Sequence, residues 1–294
     1  MSAYHWTLIV AVSTLWGASF FFNAVALKEL PPLTIVWVRI AGGALVLALV
    51  MLAIGQRVPL GTRWRDFAVM GLLANALPFA LIVSAQTQIT SGLASVLNAS
   101  TPVWTVLVAH AAGAETATPA RLLGVAVGIA GVTVLIGPTA FAGETTTVFG
   151  MAAIIAGTVS YAFASLWGRR FREVPSLVTS TLQLGFSAAM LLPVMLIAER
   201  PWTLPAPGAA TIAALTGAAV LSTALAFVIF FKVMAEAGAI NAMLVTLLVP
   251  VSAIALGTMV LDEPLTAQKL LGAAIITAGL VILDGRAWRW WRGA

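Results

Sequence analysis

The chain has 294 residues, of which 61% are hydrophobic and only 9% are charged. Soluble globular domains carry about 25% charged residues, so 15 basic and 10 acidic side chains are too few to cover a water-soluble particle of this size. The net charge of +5 does not indicate nucleic-acid binding, because the basic residues form short clusters between apolar runs.

A helix needs about 20 apolar residues to cross the hydrocarbon core of a bilayer, and charges, prolines and glycines divide this chain into runs of that length. The first run follows no Lys or Arg and precedes no cleavage site, so it is predicted to be a retained helix. We therefore predict an all-α polytopic membrane protein without a soluble domain. Its ten transmembrane helices are predicted near residues 5–27, 33–54, 65–84, 91–112, 120–137, 148–167, 176–197, 207–231, 239–261 and 267–285.

The distribution of Arg and Lys between the predicted loops indicates the orientation. Ten spans put both termini on one side, where eleven of these residues lie, against three on the other side. The positive-inside rule then predicts a multi-pass protein of a bacterial-type inner membrane with both termini in the cytoplasm. Residues 289–294, rich in Trp and Arg, are predicted to form a cytoplasmic interfacial tail.

The second half of the chain repeats the first at an offset of 148 residues. The segment from Glu115 to Leu135 then falls on the segment from Glu263 to Leu283 with nine identities in 21 positions, where composition alone would give about two. We predict two five-helix repeats, residues 1–140 and 147–288. Because five spans is an odd number, the halves would be inverted, which is typical of secondary transporters. Gene duplication also builds channels and membrane enzymes, and these alternatives stay open.

Short motifs follow one another in a similar order in the two halves. They are Leu15–Phe20, Lys28, Pro31–Pro32, Arg39, Ala94–Leu97, Pro102 and Glu115 in the first half, and Ala242–Leu244, Pro250, Asp262–Pro264 and Gly272 in the second. Over nearly the whole chain this order resembles the EamA-type transporters of the drug/metabolite transporter superfamily. The best-known bacterial members of that family export amino acids, aromatic ones included, so the resemblance implies a similar export function here.

The resemblance also implies a cavity between the halves, lined by spans one, three, four, six, eight and nine. Polar groups in a lipid-embedded helix are costly unless they face a partner or a wet cavity, and aromatic rings supply the apolar walls of small-molecule sites. The candidate substrate-binding residues from those spans are Trp16, Asn23, Phe79, Ser95, Asn98, Ser160, Tyr161, Trp167, Phe227 and Asn241.

Three prolines and one arginine lie within predicted spans. Pro78, Pro102 and Pro250 are candidates for hinges or gates, with a static kink as the alternative, because proline interrupts the helical hydrogen bonds. Arg39 is interpreted as a structural charge that snorkels or bonds loop carbonyls. All ten acidic residues fall in loops or near helix ends, which favours transport driven by the gradient of the solute over carboxylate-based ion coupling.

The sequence thus predicts a secondary transporter, not an enzyme, that exports or exchanges small amphipathic metabolites by alternating access. The alternatives are a flippase for a lipid-linked carrier and a multidrug efflux carrier. No cofactor is expected, and neither is a metal, because the chain has no cysteine and only two widely separated histidines. The expected partners are a small-molecule substrate and membrane lipid but no nucleic acid, with the protein a monomer or a homodimer.

Overall fold

A computed structural model describes residues 2–58, 61, 63–141, 145–171, 173–237 and 244–284, and these ranges contain helices and no strand. Helices satisfy their backbone hydrogen bonds internally, as a lipid environment requires. They are α1 (Ala3–Ala26), α2 (Pro32–Ala53), α3 (Trp64–Gly71, Leu72–Ala76 and Leu77–Ala85), α4 (Ser91–Asn98 and Thr101–Ala111), α5 (Pro119–Phe141), α6 (Thr145–Gly168), α7 (Ser176–Glu199), α8 (Ala209–Thr216, Gly217–Leu225 and Ala226–Ala237), α9 (Leu244–Val260) and α10 (Ala267–Asp284).

Seven of these helical stretches are long and apolar enough to cross a membrane, and three shorter apolar stretches lie in α5, α9 and α10. The prediction of an all-helical polytopic membrane protein is therefore confirmed for the described residues. Helical structure extends past both predicted limits of the repeats, since α5 ends at Phe141 and α6 begins at Thr145. The predicted start of the ninth span and the predicted tail at 289–294 lie outside the described residues.

Local sequence sets where several helices begin and end. Pro32 occupies the first turn of α2, where a missing N–H costs nothing because that donor has no partner within the helix. Thr90 is the N-cap of α4, and its Oγ1 accepts a hydrogen bond from the backbone N–H of Leu93 at 3.4 Å. Gly55, with φ of +68°, follows α2 in the left-handed conformation that glycine adopts without strain.

Two helices contain π-helical segments, Leu72–Ala76 in α3 and Gly217–Leu225 in α8. Adding 148 to the limits of the first segment gives 220 and 224, which lie within the second. A π segment inserts one residue into a helix and rotates all that follows. Each segment leads into the repeated Ala-Leu-x-Phe pattern, so the two insertions set the direction in which the side chains of Phe79 and Phe227 point.

The helices pack mainly across the two halves of the chain. Helix α5 packs on α10, α2 on α7, α1 on α8 and α9, and α6 on α3 and α4. Several of these contacts depend on glycine. A Cβ on Gly17 would come within 2.7 Å of the carbonyl oxygen of Val249, and one on Gly279 within 2.7 Å of the backbone nitrogen of Gly128. The backbones of α1 and α9, and of α5 and α10, are therefore in direct contact.

One end of the bundle is held by carboxylates that accept hydrogen bonds from helix starts. Glu199, at the end of α7, accepts from the backbone N–H groups of Leu33 and Thr34 at 2.8 and 2.6 Å. Glu29 accepts from the backbone N–H of Gly208, the N-cap of α8, at 2.7 Å. These contacts join the two halves and complement the positive end of the helix dipole.

Glu263 makes the third contact of this kind. It follows α9 and accepts hydrogen bonds from the backbone N–H groups of Ser91 and Gly92, at the start of α4, at 2.7 and 3.0 Å. Lys269 of α10 donates to the Oγ1 of Thr90 at 2.9 Å and so adds a second link to the same turn.

The opposite end is held by ion pairs between side chains. Glu115 pairs with Arg169 at 2.6 Å and with Arg121 at 3.1 Å, and Asp66 pairs with Arg170 at 3.1 Å. The arginines and Glu115 are substantially exposed to solvent. The two ends of the bundle are therefore closed by different kinds of interaction.

Candidate functional site

A cavity of about 290 Å³ lies in the middle of the bundle. Helices α1, α2, α3, α4, α6, α7, α8 and α9 all contribute to its wall, so both halves of the chain enclose it. Its volume is close to the lower limit of about 300 Å³ for small-molecule sites, which suits a solute of amino-acid size. The polar and aromatic residues of the wall are Trp16, Ser19, Phe20, Asn23, Arg39, Asn75, Phe79, Asn98, Thr101, Tyr161, Gln183, Ser222, Phe227 and Thr246.

Aromatic rings form one part of this wall. The ring of Trp16 lies 6.4 Å from that of Phe227 in a perpendicular arrangement and 4.9 Å from that of Phe230. The Trp16–Phe227 contact is edge-to-face and the Trp16–Phe230 contact is tilted, and both favour the observed position of the Trp16 ring. The wall therefore offers a preformed apolar surface to the body of a solute.

Amide groups without hydrogen-bond partners form another part. In the described structure, Oδ1 of Asn23 and of Asn98, Oε1 of Gln183 and both polar atoms of the Asn75 side chain have no partner. A buried polar group without a partner costs about 1–3 kcal/mol. These atoms are shielded from solvent, but all four residues line the cavity, so a solute or water that reached them would supply the missing partner.

The orientation of Asn23 is fixed by Gln86, which the set of candidate residues did not contain. Asn23 donates from Nδ2 to Oε1 of Gln86 at 3.0 Å, and Gln86 donates from Nε2 to the carbonyl oxygen of Phe20 at 2.9 Å. Both hydrogen bonds are buried. They leave Oδ1 of Asn23 without a partner, so Asn23 contributes an unpaired acceptor beside the cavity.

Arg39 lies on the cavity wall with only 6% of its surface exposed. Its Nε donates to Oγ1 of Thr223 at 3.0 Å, and its Cζ lies 4.3 Å above the centre of the Phe79 ring. The hydroxyl of Thr223 donates in turn to the carbonyl oxygen of Ala218, five residues earlier in the π segment. The expected bond to loop carbonyls is thus replaced by a contact deep in the bundle, because α2 and α8 approach closely there. A Cβ on Gly43 would lie 2.6 Å from Cγ2 of Thr223.

Gln183 occupies in α7 the place that Arg39 has in α2. Both residues line the cavity, and α2 and α7 pack against each other. Four residues further along each helix, Gly43 contacts α8 and Ser187 contacts α3, where it donates to the carbonyl oxygen of Gly71 at 2.8 Å. Both pairs are separated by 144 residues. The wall therefore carries a cation from one half and a neutral amide at the corresponding place in the other.

The structure brings six of the ten candidate binding residues to the cavity wall: Trp16, Asn23, Phe79, Asn98, Tyr161 and Phe227. Ser95 and Ser160 are not among the lining residues, and their hydroxyls donate to the carbonyl oxygens of Gly92 and Leu73. Trp167 lies near the end of α6, where its Nε1 donates to the carbonyl oxygen of Asp66 at 3.1 Å. Asn241 lies outside the described residues.

The three candidate hinge prolines have different settings. Pro78 is the second residue after the π segment of α3, and Pro102 lies in the first turn of the second part of α4, after the interruption at Ala99 and Ser100. Pro250 lies inside α9, where the helix continues through it. Pro102 therefore begins a helical stretch, whereas Pro250 removes a hydrogen bond from a continuous one.

No carboxylate of the described residues lines the cavity, and these residues include no group of three or more His, Asp or Glu that could hold a metal ion. Arg39 is the one charged residue of the cavity wall as described. The charge on the described cavity wall is therefore positive. The cavity can attract anionic groups and repel cations.

Comparison with known proteins finds matches along nearly the whole chain. A family model described as the EamA-like transporter family matches residues 4–137 and again residues 148–283. The uncharacterized transporter YoaV of Bacillus subtilis is 24% identical over 278 residues, which are 92% of this chain and 94% of that protein. The uncharacterized inner membrane transporter YedA of Escherichia coli is 25% identical over 277 residues, 94% of this chain and 89% of that protein. A solved crystal structure shares the fold, with a TM-score of 0.68 at 20% identity, over 96% of this chain and 99% of its own.

Proposed function

We propose that this chain, which belongs to the EamA-like transporter family, exports or exchanges small amphipathic metabolites, with aromatic amino acids among them. Membership in the family makes it a membrane transporter and not an enzyme, and it confirms the resemblance drawn from the sequence motifs. The substrate class and the mechanism are the parts that we propose.

The central cavity is the observation that carries this proposal. It has the volume for one small solute, rings on one part of its wall, and unpartnered amide oxygens on another. A solute with an apolar ring and a polar end would match both parts. A water-filled pore would instead need a continuous polar path along the bundle.

We further propose ten spans arranged as two inverted halves, with both termini in the cytoplasm of a cell whose inner membrane holds the protein. Helix packing supports a twofold relation between the halves, and the odd number of spans in each half is what makes that relation an inversion. If the halves are equivalent, each helix of the first half corresponds to the one five places later, so α1 corresponds to α6 and α4 to α9. The α1–α9 contact then corresponds to the α6–α4 contact, and the α3–α6 contact to the α8–α1 contact, whereas the α2–α7 and α5–α10 contacts correspond to themselves. All of these contacts occur. A pseudo-twofold axis in the membrane plane produces this pattern.

Alternating access would then proceed by bending α4 and α9 around the cavity, with Pro102 and Pro250 as the hinges. Pro102→Ala and Pro250→Ala are expected to slow solute exchange several-fold without lowering the thermal unfolding temperature. Exchange rates equal to that of the wild type in both variants would contradict the hinge role. Because no described carboxylate faces the cavity, exchange should also proceed without an imposed pH gradient.

Counterflow into liposomes tests the function. Vesicles that contain the purified protein and unlabelled phenylalanine should accumulate external radiolabelled phenylalanine with saturable kinetics. Ala99→Phe, which fills space in the cavity wall, should abolish accumulation. Ala53→Phe, at the exposed end of α2, should retain it and serves as the matched control.

The same vesicles distinguish the alternatives. Accumulation of cationic drugs but of no amino acid would favour multidrug efflux. Movement of labelled lipid between leaflets would favour a flippase. If neither amino acids nor the other solutes accumulate in a saturable way, the proposal fails.

A further inference from the structure

Arg39 is a buried cation whose charge has no carboxylate partner among the described residues. The one described residue that accepts a hydrogen bond from its guanidinium is Thr223, which accepts from Nε. A guanidinium carries five N–H donors in a planar fork, and its charge cannot be removed at ordinary pH. Burial of such a group without a counterion is costly, so the site favours any anion that reaches it.

The guanidinium is held in place before any solute arrives. Its Nε is bonded to Thr223, its face lies 4.3 Å from the centre of the Phe79 ring, and Thr223 is itself anchored to Ala218. These contacts occupy one edge and one face of the planar group. A guanidinium fixed in this way loses little side-chain entropy when it binds a carboxylate with two parallel hydrogen bonds.

We propose that Arg39 binds the carboxylate of the solute, so that the cavity selects organic monocarboxylates with an apolar body, amino acids included. This inference rests on the proposed function in taking the cavity as the solute site. The aromatic wall at Trp16 and Phe227 receives the apolar body. The free Oδ1 of Asn23 and of Asn98 are acceptors for the ammonium group of an amino acid.

Because Arg39 of one half corresponds to a neutral residue in the other half, the cavity can bind only a limited number of carboxylates. Gln183, at the place in α7 that corresponds to Arg39, is neutral. Among the described residues the wall therefore holds one cation, and a second carboxylate on the solute would be desolvated without a partner. Dicarboxylates are excluded for this reason, and cationic amines are excluded because they meet Arg39 without a compensating acid.

Equilibrium binding to the purified protein in detergent tests the inference. The probe is radiolabelled phenylalanine, with displacement by phenylalanine, 3-phenylpropionate, phenylalaninamide and phenethylamine. The two carboxylates should bind at least tenfold more tightly than the amide or the amine. In Arg39→Gln this preference should fall below twofold, and Arg39→Lys, which keeps the charge but loses the fork, should recover only part of it. Arg57→Gln, at an exposed loop position, removes the same charge and should leave the preference unchanged.

Several results would overturn the inference. One is equal affinity of the wild type for the acid and its amide, which needs no variant and so does not depend on whether Arg39→Gln folds. Others are retention of the preference in a folded Arg39→Gln and failure of both acids to bind. Binding and counterflow separate this inference from the proposed function. Acid-selective binding without counterflow would contradict transport alone, whereas counterflow of the amide as fast as the acid would contradict only the role of Arg39.

Discussion

Replacement of Glu263 by Gln should loosen the contact between α9 and α4 at one end of the bundle. The carboxylate accepts hydrogen bonds from two backbone N–H groups, of Ser91 and Gly92, at the start of α4. A glutamine side chain has one oxygen, and its NH₂ group would face the second N–H as a donor facing a donor. The variant thus loses one hydrogen bond outright and loses the charge that strengthens the other.

The free energy by which Glu263→Gln weakens the contact between α9 and α4 follows from these two losses. A hydrogen bond to a charged group contributes about 1.5–3 kcal/mol and a neutral one about 0.5–1.5 kcal/mol. Because Glu263 is only partly buried, we take the lower parts of these ranges, which gives a net loss of about 2 kcal/mol. Each 1.4 kcal/mol is a factor of ten, so the population in which α4 and α9 have separated should rise about 30-fold.

Thiol labelling measures that population. The chain contains no cysteine, so Ser91→Cys introduces the one thiol. Ser91 is 1% exposed, and a maleimide can reach position 91 only after the two helices separate. The labelling rate of the Ser91→Cys protein should rise about 30-fold when Glu263→Gln is added.

The neighbouring Asp262 provides the matched control for this experiment. It is exposed and has a φ of +55°, a conformation that Asn tolerates, so Asp262→Asn removes a charge without removing a helix cap. Its effect on labelling should stay within twofold. An equally small effect of Glu263→Gln would refute the reasoning, because the carboxylate would then not be what joins the helices.

Three other substitutions test the packing around the cavity. Gly17→Ala should lower the thermal unfolding temperature, because its Cβ would meet the α9 backbone, whereas Gly185→Ala, with no atom within 4 Å, should leave it unchanged or raise it slightly. Thr223→Val removes the acceptor of Arg39 and should cost about 1–3 kcal/mol of unfolding free energy, measured against Thr216→Val, whose hydroxyl bonds only its own helix. Gln86→Leu should raise the KM for exchange several-fold and lower kcat less, because Asn23 loses its fixed orientation.

Hydropathy predicted the helices of the described residues well, because it depends on composition along the chain. The direction in which each side chain points was harder to predict. Ser160 and Tyr161 are neighbours on α6, yet the hydroxyl of Ser160 bonds Leu73 while Tyr161 lines the cavity. Successive residues on a helix point about 100° apart, so the rotation of the helix decides which one faces the solute. A uniformly apolar helix gives no signal for that rotation.

Several residues of the cavity wall were not among the ten candidates, and for two of them, Asn75 and Gln183, the reason is specific. Asn75 lies in the π segment of α3. The inserted residue changes the direction in which the side chains of that turn point, and regular helical spacing does not predict this change. Gln183 lies in the seventh span, which the family resemblance did not place at the cavity. An amide within an apolar span is costly without a partner, and that cost alone would have indicated Gln183. Arg39 was recognised as an intramembrane charge, but its partner Thr223 lies 184 residues away.

Ionic strength affects the two ends of the bundle unequally, because different kinds of interaction hold them closed. Exposed ion pairs such as Glu115–Arg169 weaken with added salt, since the Debye length is only about 8 Å at 0.15 M and about 3 Å at 1 M. The carboxylates at the other end bind backbone N–H groups of helix starts at short range and are screened less. Concentrated salt therefore loosens the end at Glu115 before the end at Glu263, and the medium itself becomes a means of biasing which end of the bundle opens.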